Sequence, residues 1–145
     1  MLSIQISDIK DFMSHLLSKD TFDHFYFIEA SIKMGVSYQI QGRINEGFYD
    51  TSVEQTLNRE FCYWKEIRHR IFDIIKGKRL PLSCKIVLGL SKQSISYLIA
   101  HNNSSFREED IEGIYVNILY DPKNLLITTG ISYKNFSLDK SLEYA

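Results

Sequence analysis

Two stretches of the chain alternate apolar and polar residues, and a turn signal interrupts each of them. Residues 26–40 carry Gly35 between two alternating runs. Residues 114–132 carry Asp121-Pro122-Lys123-Asn124, which has Asp and Pro at the positions that a type I turn prefers. Because a period of two places one face of a strand in a core, each stretch predicts a β-hairpin. Two hairpins favour a largely antiparallel sheet.

The segment between the two hairpins has a helical period instead. Apolar residues recur at helical spacing over residues 57–76, and Gly77 stands where the C-terminus of a helix prefers glycine. Pro81 then prevents the helix from continuing. We therefore expect a long central helix over residues 57–76 and, after it, a buried strand over residues 84–90.

The elements on the two sides of this helix occur in the same order. Residues 2–42 predict a strand, a helix capped by Ser7 and a hairpin, and residues 84–132 predict a strand, a helix capped by Ser91 and a hairpin. The fold class is α+β, with an antiparallel or mixed sheet of about six strands. Two interpretations stay open. One is an internal β-α-β-β duplication, and the other is an ordinary α+β domain whose elements recur.

Size and charge restrict the classes of protein. The 145 residues correspond to a single domain, residues 1–145, and a last helix would begin near Asp139, so we expect the native chain to continue beyond Ala145. A net charge of −1 gives no general attraction to nucleic acid or anionic membranes, and no apolar run reaches the length of a membrane span. Cys62 and Cys84 are expected to be buried thiols, which suits a cytoplasmic protein.

The sequence has no recognisable catalytic or cofactor motif. Neither cysteine has the setting of a catalytic nucleophile, and Gly77-Lys78-Arg79 lacks the other residues of a phosphate-binding loop. Glu66 and His69 have the spacing of one metal-ligand pair, whereas a di-iron site needs two such pairs and two further glutamates. We expect no catalytic residue, no metal and no cofactor.

Positive charge is concentrated in and after the predicted central helix. Between positions 65 and 85, seven Lys and Arg residues stand against two acidic residues. Arg68, Lys76, Lys78 and Arg79 are the candidates for binding an anion or a partner. One interpretation is a solvated turn whose cations complement the helix dipole. The other is a contact surface for phosphate, nucleic acid or an acidic protein.

Arg68 differs from the other candidates because it falls inside the apolar stripe of the predicted helix. An unpaired buried charge is very costly, so a buried arginine requires a partner. One interpretation gives Arg68 a carboxylate, and Glu29 on the first hairpin is the preferred one. In the other interpretation the stripe is partly open and Arg68 faces a ligand or a second subunit.

Three segments carry a resemblance to other proteins: Trp64-Lys65-Glu66-Ile67-Arg68, Ile75-Lys76-Gly77-Lys78-Arg79-Leu80-Pro81, and Thr128-Thr129-Gly130 through Leu138-Asp139-Lys140. In these segments the chain resembles a family of uncharacterised conserved proteins from clostridia-like Firmicutes. The resemblance implies a bacterial origin and a native chain longer than this one. It implies no activity, because the family has none assigned.

We expect a non-enzymatic binding or scaffold protein that self-associates and uses the basic turn as its contact surface. The alternative is an anion- or nucleotide-handling enzyme, or a nucleic-acid-associated protein, that uses the same basic patch. The acidic run at residues 108–112 is a further candidate partner for this patch, within one chain or across a dimer.

Overall fold

The computed structural model describes residues 2–49, 59–101 and 111–133. In this part of the chain six strands form one antiparallel sheet, and three helices accompany it. In chain order the elements are β1 (Leu2–Gln5), α1 (Ile9–Ser18), β2 (Tyr26–Lys33), β3 (Ser37–Gln41), α2 (Trp64–Ile75), β4 (Ser83–Gly89), α3 (Lys92–His101), β5 (Ile111–Tyr120) and β6 (Leu125–Tyr133). The prediction of an α+β fold with about six strands is confirmed. The C-terminal helix predicted near Asp139 lies outside the described residues.

The strands lie side by side in the order β1-β6-β5-β4-β2-β3. The two predicted hairpins are present as β2–β3 and β5–β6. In the second hairpin the Asp121 carboxylate accepts hydrogen bonds from the backbone N–H groups of Lys123 and Asn124, each at 2.8 Å. The apolar strand β4 lies between the hairpins, where both of its edges are paired. Both hairpin predictions and the central strand are confirmed.

The two halves of the chain share their element order but not their strand pairing. β4 pairs directly with β5 in the second half. β1, its counterpart in the first half, pairs with β6 and lies at the opposite edge of the sheet from β2 and β3. The similarity of the halves therefore does not extend to the arrangement of the sheet.

The helix in the middle of the chain is shorter than predicted. Helix α2 begins at Trp64, and residues 59–63 are extended instead. The Phe27 N–H donates to the Cys62 carbonyl at 2.8 Å, and the Cys62 N–H donates to the Gly42 carbonyl at 2.9 Å. These residues pair like a strand, so their backbone groups are not available to a helix. Residues 57 and 58 lie outside the described part of the chain.

The helices pack on one face of the sheet and form a two-layer core. Leu16 of α1 and Trp64 of α2 are fully buried against sheet residues such as Phe27. The Trp64 indole N–H donates to the Leu16 carbonyl at 2.8 Å, which joins the two helices. Ile95 of α3 packs on Ile114 of β5 in a second cluster. Ile114 has the same parity along β5 as the core residues of that strand, so α3 lies on the same face.

The N-terminal caps of α1 and α3 can be compared with the predicted cap residues. Asp8, rather than the predicted Ser7, caps α1, and its carboxylate accepts from the Asp11 N–H at 3.0 Å. Ser91 caps α3 as predicted, since its hydroxyl accepts from the Ser94 N–H at 3.3 Å.

Candidate functional site

The basic end of the sheet comprises Lys76, Lys78, Arg79, Leu80 and Leu82, which follow α2 and lead into β4. Gly77 ends the helix with a positive φ of 144°, a conformation that favours glycine. Pro81 is buried, and the Leu82 N–H donates to the Lys33 carbonyl at 2.8 Å, which holds the segment beside β2. Between these fixed points Leu80 and Leu82 remain 66% and 69% exposed.

The cations of the basic end differ in how far they are paired. Lys76 contacts Asp73 at 2.9 Å on the exposed surface of α2, and such exposed pairs contribute little to stability. Lys78 and Arg79 are exposed, and within the described residues they make no hydrogen bond or ion pair. Their charges are therefore available to a partner.

Arg68 is not one of the available cations of the basic end, and the prediction of Glu29 as its partner is wrong. Its guanidinium donates two hydrogen bonds to the Asp23 carboxylate, Nε to Oδ1 at 2.8 Å and Nη2 to Oδ2 at 3.1 Å. Asp23 is 7% exposed. Glu29 cannot take this role because it alternates with the core residue Ala30, and so it lies on the face of the sheet opposite the helices.

The structure therefore divides the four candidate residues. Lys76, Lys78 and Arg79 lie together after the helix. Arg68 lies about two helical turns earlier, or roughly 10 Å along the axis, with its guanidinium committed to Asp23. A single phosphate site formed by all four cations is not assembled in this arrangement.

At the opposite end of the sheet lies a second cluster, which the sequence did not predict. We call it the aromatic end and define it by Tyr26, Phe61, Tyr63, Arg43 and Arg59. Tyr26 contacts both neighbouring rings, with centroids 6.4 Å from that of Phe61 and 5.3 Å from that of Tyr63. The extended segment 59–63 places these rings, because alternate residues of a strand share a face.

The two arginines of the aromatic end are held by rings and carboxylates. Arg59 lies over the Tyr63 ring at 4.5 Å and donates to both oxygens of Glu66, at 2.7 and 3.0 Å. Its side chain is only 10% exposed. Arg43 lies over the Phe61 ring at 5.2 Å and pairs with Glu60. A cation that is paired with a carboxylate and stacked on a ring is not free for an external anion.

Glu66 connects the aromatic end to the start of α2. Besides Arg59 it accepts a hydrogen bond from the Tyr63 N–H at 2.6 Å, at the first turn of the helix. The hydrogen bonds from Arg59 lower the pKa of the Glu66 carboxyl, against the opposing effect of its partial burial. The Glu66 carboxylate, which has the spacing of a metal-ligand pair with His69, is thus engaged by Arg59 and by the Tyr63 backbone.

A cleft of about 600 Å³ opens at the aromatic end. Within the described residues it is lined by Tyr26, Ile28, Arg43, Arg59, Glu60, Phe61, Gly89, Leu90, Lys92, Ile95, Glu112, Gly113, Ile114 and Tyr115. The Tyr115 ring leans over Gly113, where a Cβ would lie 2.4 Å from the phenol oxygen. Burial raises the pKa of Tyr115, and the carboxylates of Glu112 and Glu60 raise it further. The phenol is therefore a hydrogen-bond donor at neutral pH.

In the described ranges, no three His, Cys, Asp or Glu side chains converge on a metal site. None of the helices there has the length and apolarity to cross a bilayer. Cys62 and Cys84 are both free thiols. Burial raises the pKa of Cys84 to about 12 and also raises that of Cys62, so neither is an activated nucleophile.

Glu112, the last residue of the acidic run, lies at the end of the sheet opposite the basic end, so it does not contact the basic end of the same chain. β5 begins beside Glu112 at the aromatic end and runs for ten residues toward the basic end, about 30 Å. Glu112 accepts a hydrogen bond from the Ser132 hydroxyl at 3.0 Å. Residues 108–110 lie outside the described part of the chain.

The comparisons with known proteins are consistent with the expectation of an uncharacterised family. No curated protein and no solved structure matches the chain. One family model matches residues 15–145, which includes both ends of the sheet and all three segments on which the resemblance was based. The chain belongs to this family, the family of unknown function DUF5721.

Proposed function

We propose that this single domain is a non-enzymatic binding protein whose contact surface is the basic end. One observation carries the proposal. Leu80 and Leu82 are each about two-thirds exposed directly beside Lys78 and Arg79, which have no partner within the described residues. Exposed leucines next to available cations provide both the apolar centre and the charged rim of a contact surface.

The apolar part of this surface extends onto the neighbouring hairpin. Because Lys33 pairs with Ser83 in the antiparallel register, Leu82 lies next to Met34. The Met34 N–H donates to the Val36 carbonyl at 3.1 Å, and Val36 is 64% exposed. Val36, Met34 and Leu82 thus form a short apolar stripe across the tip of the sheet.

The chemistry of the surface favours an acidic protein as the partner. Lys33 directly precedes Met34 in the chain, and Lys78 and Arg79 directly precede Leu80; all three are exposed and carry positive charge, which complements carboxylates. The most exposed apolar residues at this end, Leu80, Leu82 and Val36, are aliphatic, whereas surfaces that lie on membranes use tryptophan and other aromatic anchors. Single-stranded nucleic acid would also require aromatic side chains for stacking.

The alternative of an anion- or nucleotide-handling enzyme at the basic turn receives less support. It requires Arg68 to join Lys76, Lys78 and Arg79 around one phosphate, but Asp23 engages Arg68. The proposal also includes self-association, in which a second copy of this chain occupies the basic end in place of an acidic protein. The two unpaired thiols support a reducing compartment and hence a cytoplasmic protein.

The proposal is tested with a fluorescein-labelled amphipathic peptide that has leucines on one helical face and glutamates on the other. We expect binding that weakens with salt and falls about tenfold in Lys78→Glu/Arg79→Glu and in Leu82→Asp. Lys92→Glu is the matched control, because it reverses a charge at the aromatic end. Equal binding by all variants, or equal binding of a peptide with glutamines for glutamates, contradicts an acidic partner.

Light scattering distinguishes the two possible occupants of the basic end, a second copy of this chain and an acidic protein. Two basic ends that face each other bring like charges together, so salt should strengthen a dimer formed in this way. A dimer that appears at high salt and is lost in Leu82→Asp assigns the surface to self-association. A monomer under all conditions leaves the acidic partner as the occupant.

A further inference from the structure

Strand β3 forms one edge of the sheet, and its outer side has no partner strand within the described residues. The Gly42 N–H, just after β3, donates to the Ile28 carbonyl at 2.8 Å, so Gly42 directs its backbone groups toward β2. Because this direction alternates along an antiparallel strand, the odd-numbered residues of β3 direct their N–H and C=O groups outward. These residues are Ser37, Gln39 and Gln41.

Strand β3 lacks the features with which folded proteins protect an exposed edge. Such edges are blunted by lysine or other charged side chains, by proline, by bulges or by being very short. The sequence of β3 is Ser-Tyr-Gln-Ile-Gln, which has no charge and no proline, and its register with β2 is regular throughout. Four of its five residues are exposed, so the edge is open to a further strand.

The other edge of the sheet, strand β1, presents fewer outward groups. The Ile6 N–H donates to the Leu125 carbonyl at 2.8 Å, so the even-numbered residues of β1 face β6. Only Ser3 and Gln5 face outward, and the Gln5 side chain donates to the Asn124 side chain at 3.3 Å. Since a very short edge strand is a poor template for pairing, β3 is the better candidate.

The sequence of β3 is complementary to a second copy of itself in antiparallel orientation. Gln39 is the middle residue, so a two-fold axis beside it pairs Gln39 with Gln39 of the second copy and Ser37 with Gln41 of the second copy. Every outward group of the strand is then used, in about six hydrogen bonds. On the helix face Tyr38, which is 37% exposed, lies opposite Ile40 of the second copy. An aromatic residue opposite a β-branched one is a favourable cross-strand pair.

The antiparallel orientation also keeps like charges apart. Strand β3 begins beside Lys33, next to the basic end, and runs away from it. In the pair of strands the basic ends of the two copies therefore lie at opposite ends of the shared edge. Because β3 itself carries no charge, its pairing requires no ion to leave water. Self-association through the basic ends would instead bring their cations together.

We infer that the chain forms a two-fold dimer through the free edge of β3, which joins two six-stranded sheets into one continuous antiparallel sheet. Each β3 edge is used once in this arrangement, so the assembly closes at two copies. The inference goes beyond the proposed function. It uses the backbone of β3 and leaves Lys78, Arg79 and Leu82 available to an acidic partner.

Sedimentation velocity over a range of protein concentrations tests the inference. We expect a monomer–dimer equilibrium with a Kd below about 100 µM and little dependence on salt, since β3 carries no charge. Gln39→Lys places two lysines opposite each other at the two-fold axis and should weaken the dimer about tenfold or more. Ser3→Lys is the matched control at an outward position of β1 and should leave the dimer unchanged. A wild-type chain that is still monomeric at about 1 mM overturns the inference.

A charge-swap experiment tests the pairing itself. Gln39→Glu alone should also be monomeric, because two carboxylates then meet at the axis. An equimolar mixture of Gln39→Lys and Gln39→Glu should form a heterodimer as readily as wild type forms its dimer, since opposite charges then face each other. Circular dichroism of each variant alone verifies that it is folded, as expected for an exposed position. A mixture of folded variants that stays monomeric contradicts the two-fold pairing at Gln39.

Variants of the basic end separate this dimer from self-association at that surface. We expect Leu82→Asp and Lys78→Glu/Arg79→Glu to dimerise like wild type, even where they no longer bind the acidic peptide. A dimer that is lost in Leu82→Asp and kept in Gln39→Lys is formed by the basic ends, and the inference is then wrong.

Discussion

The aromatic end and the basic end each carry cationic side chains, but the two ends use them in opposite ways. At the aromatic end Arg59 makes three hydrogen bonds, to Glu66 and to the Phe61 carbonyl, and its side chain is 10% exposed. At the basic end Lys78 and Arg79 are exposed without a partner in the described residues. Tertiary neighbours, rather than the number of cations in a segment, decide which charges are available for binding.

The difference has a physical cause. A cation that leaves water must be compensated by a carboxylate and by further acceptors. A largely buried arginine therefore holds the residues that pair with it in place. An exposed cation keeps its hydration and does not constrain the positions of neighbouring residues. We therefore expect substitutions at the aromatic end to lower the free energy of unfolding, and those at the basic end to leave it unchanged.

Two glycines should give the largest contrast. A Cβ on Gly42, beside the segment 59–63, would lie 1.8 Å from the carbonyl oxygen of Phe27. Because this atom is backbone, we expect Gly42→Ala to lower the free energy of unfolding by about 3 kcal/mol or more, or to prevent folding. Gly35→Ala, in the hairpin turn toward the basic end, meets nothing within 4 Å and should change it by less than about 0.5 kcal/mol. Chemical denaturation measures both, and equal effects would contradict the backbone packing described for the aromatic end.

Two arginines should give the next largest contrast. Arg68→Ala leaves the buried Asp23 carboxylate unpaired, so we expect a loss of about 3 kcal/mol in unfolding free energy. Arg79→Ala removes an exposed charge and should cost less than about 0.5 kcal/mol. Urea denaturation of the two variants is the measurement. A stable Arg68→Ala would mean that the pair with Asp23 does not support the fold.

The pH dependence of stability should separate the ends further. Glu66 has a lowered pKa in the folded chain, below its ordinary value of 4.5, so its contribution is present above about pH 4.5 and is lost as the pH falls through the folded value. Because Glu66 is partly exposed and screened by solvent, we expect Glu66→Gln to cost only about 1 kcal/mol at pH 7. The difference from wild type should shrink toward zero below pH 4.5. A difference that grows on acidification would contradict the lowered pKa.

The smallest expected effect concerns the two thiols. Since burial raises the pKa of Cys84 to about 12, the native chain should react with Ellman's reagent at Cys62 first and leave Cys84 unmodified until it unfolds. Mass spectrometry of the labelled peptides is the readout. Equal labelling of both thiols in the native state would show that the central strand is open to solvent.

Local patterns in the sequence predicted the sheet correctly where the decisive residues are neighbours. Asp121-Pro122-Lys123-Asn124 specifies its own turn through the Asp121 carboxylate, and the alternation on both sides sets the hairpin. The apolar run in β4 likewise indicates a strand with partners on both edges. Three hairpin and strand predictions therefore required no knowledge of distant contacts.

The prediction for residues 59–63 is wrong because a distant partner decides their conformation. Arg59, Phe61 and Tyr63 alternate as in a strand, but the helical stripe that continues from α2 also includes Phe61, so the helical period predicts a helix for this segment as well. Pairing with Gly42 and Phe27 decides between the two periods. The strand-like alternation was the available signal for the aromatic end.

The partner of Arg68 could not be identified for the same reason. Asp23 precedes β2 in a connection whose path is not encoded in any periodicity, whereas Glu29 lies on a recognisable strand. The choice depends on which face of the sheet α2 covers, and that is a tertiary property.

Arginine labelling tests the contrast between the two ends most directly. Phenylglyoxal is applied to the native chain, and the rate at each arginine is measured by peptide mass spectrometry, with the urea-unfolded chain as the reference. The account predicts that Arg79 reacts nearly as fast as in the unfolded chain, whereas Arg59 and Arg68 react at least about tenfold more slowly because each donates two hydrogen bonds to a carboxylate. Similar rates at Arg59, Arg68 and Arg79 would contradict the distinction between committed and available cations.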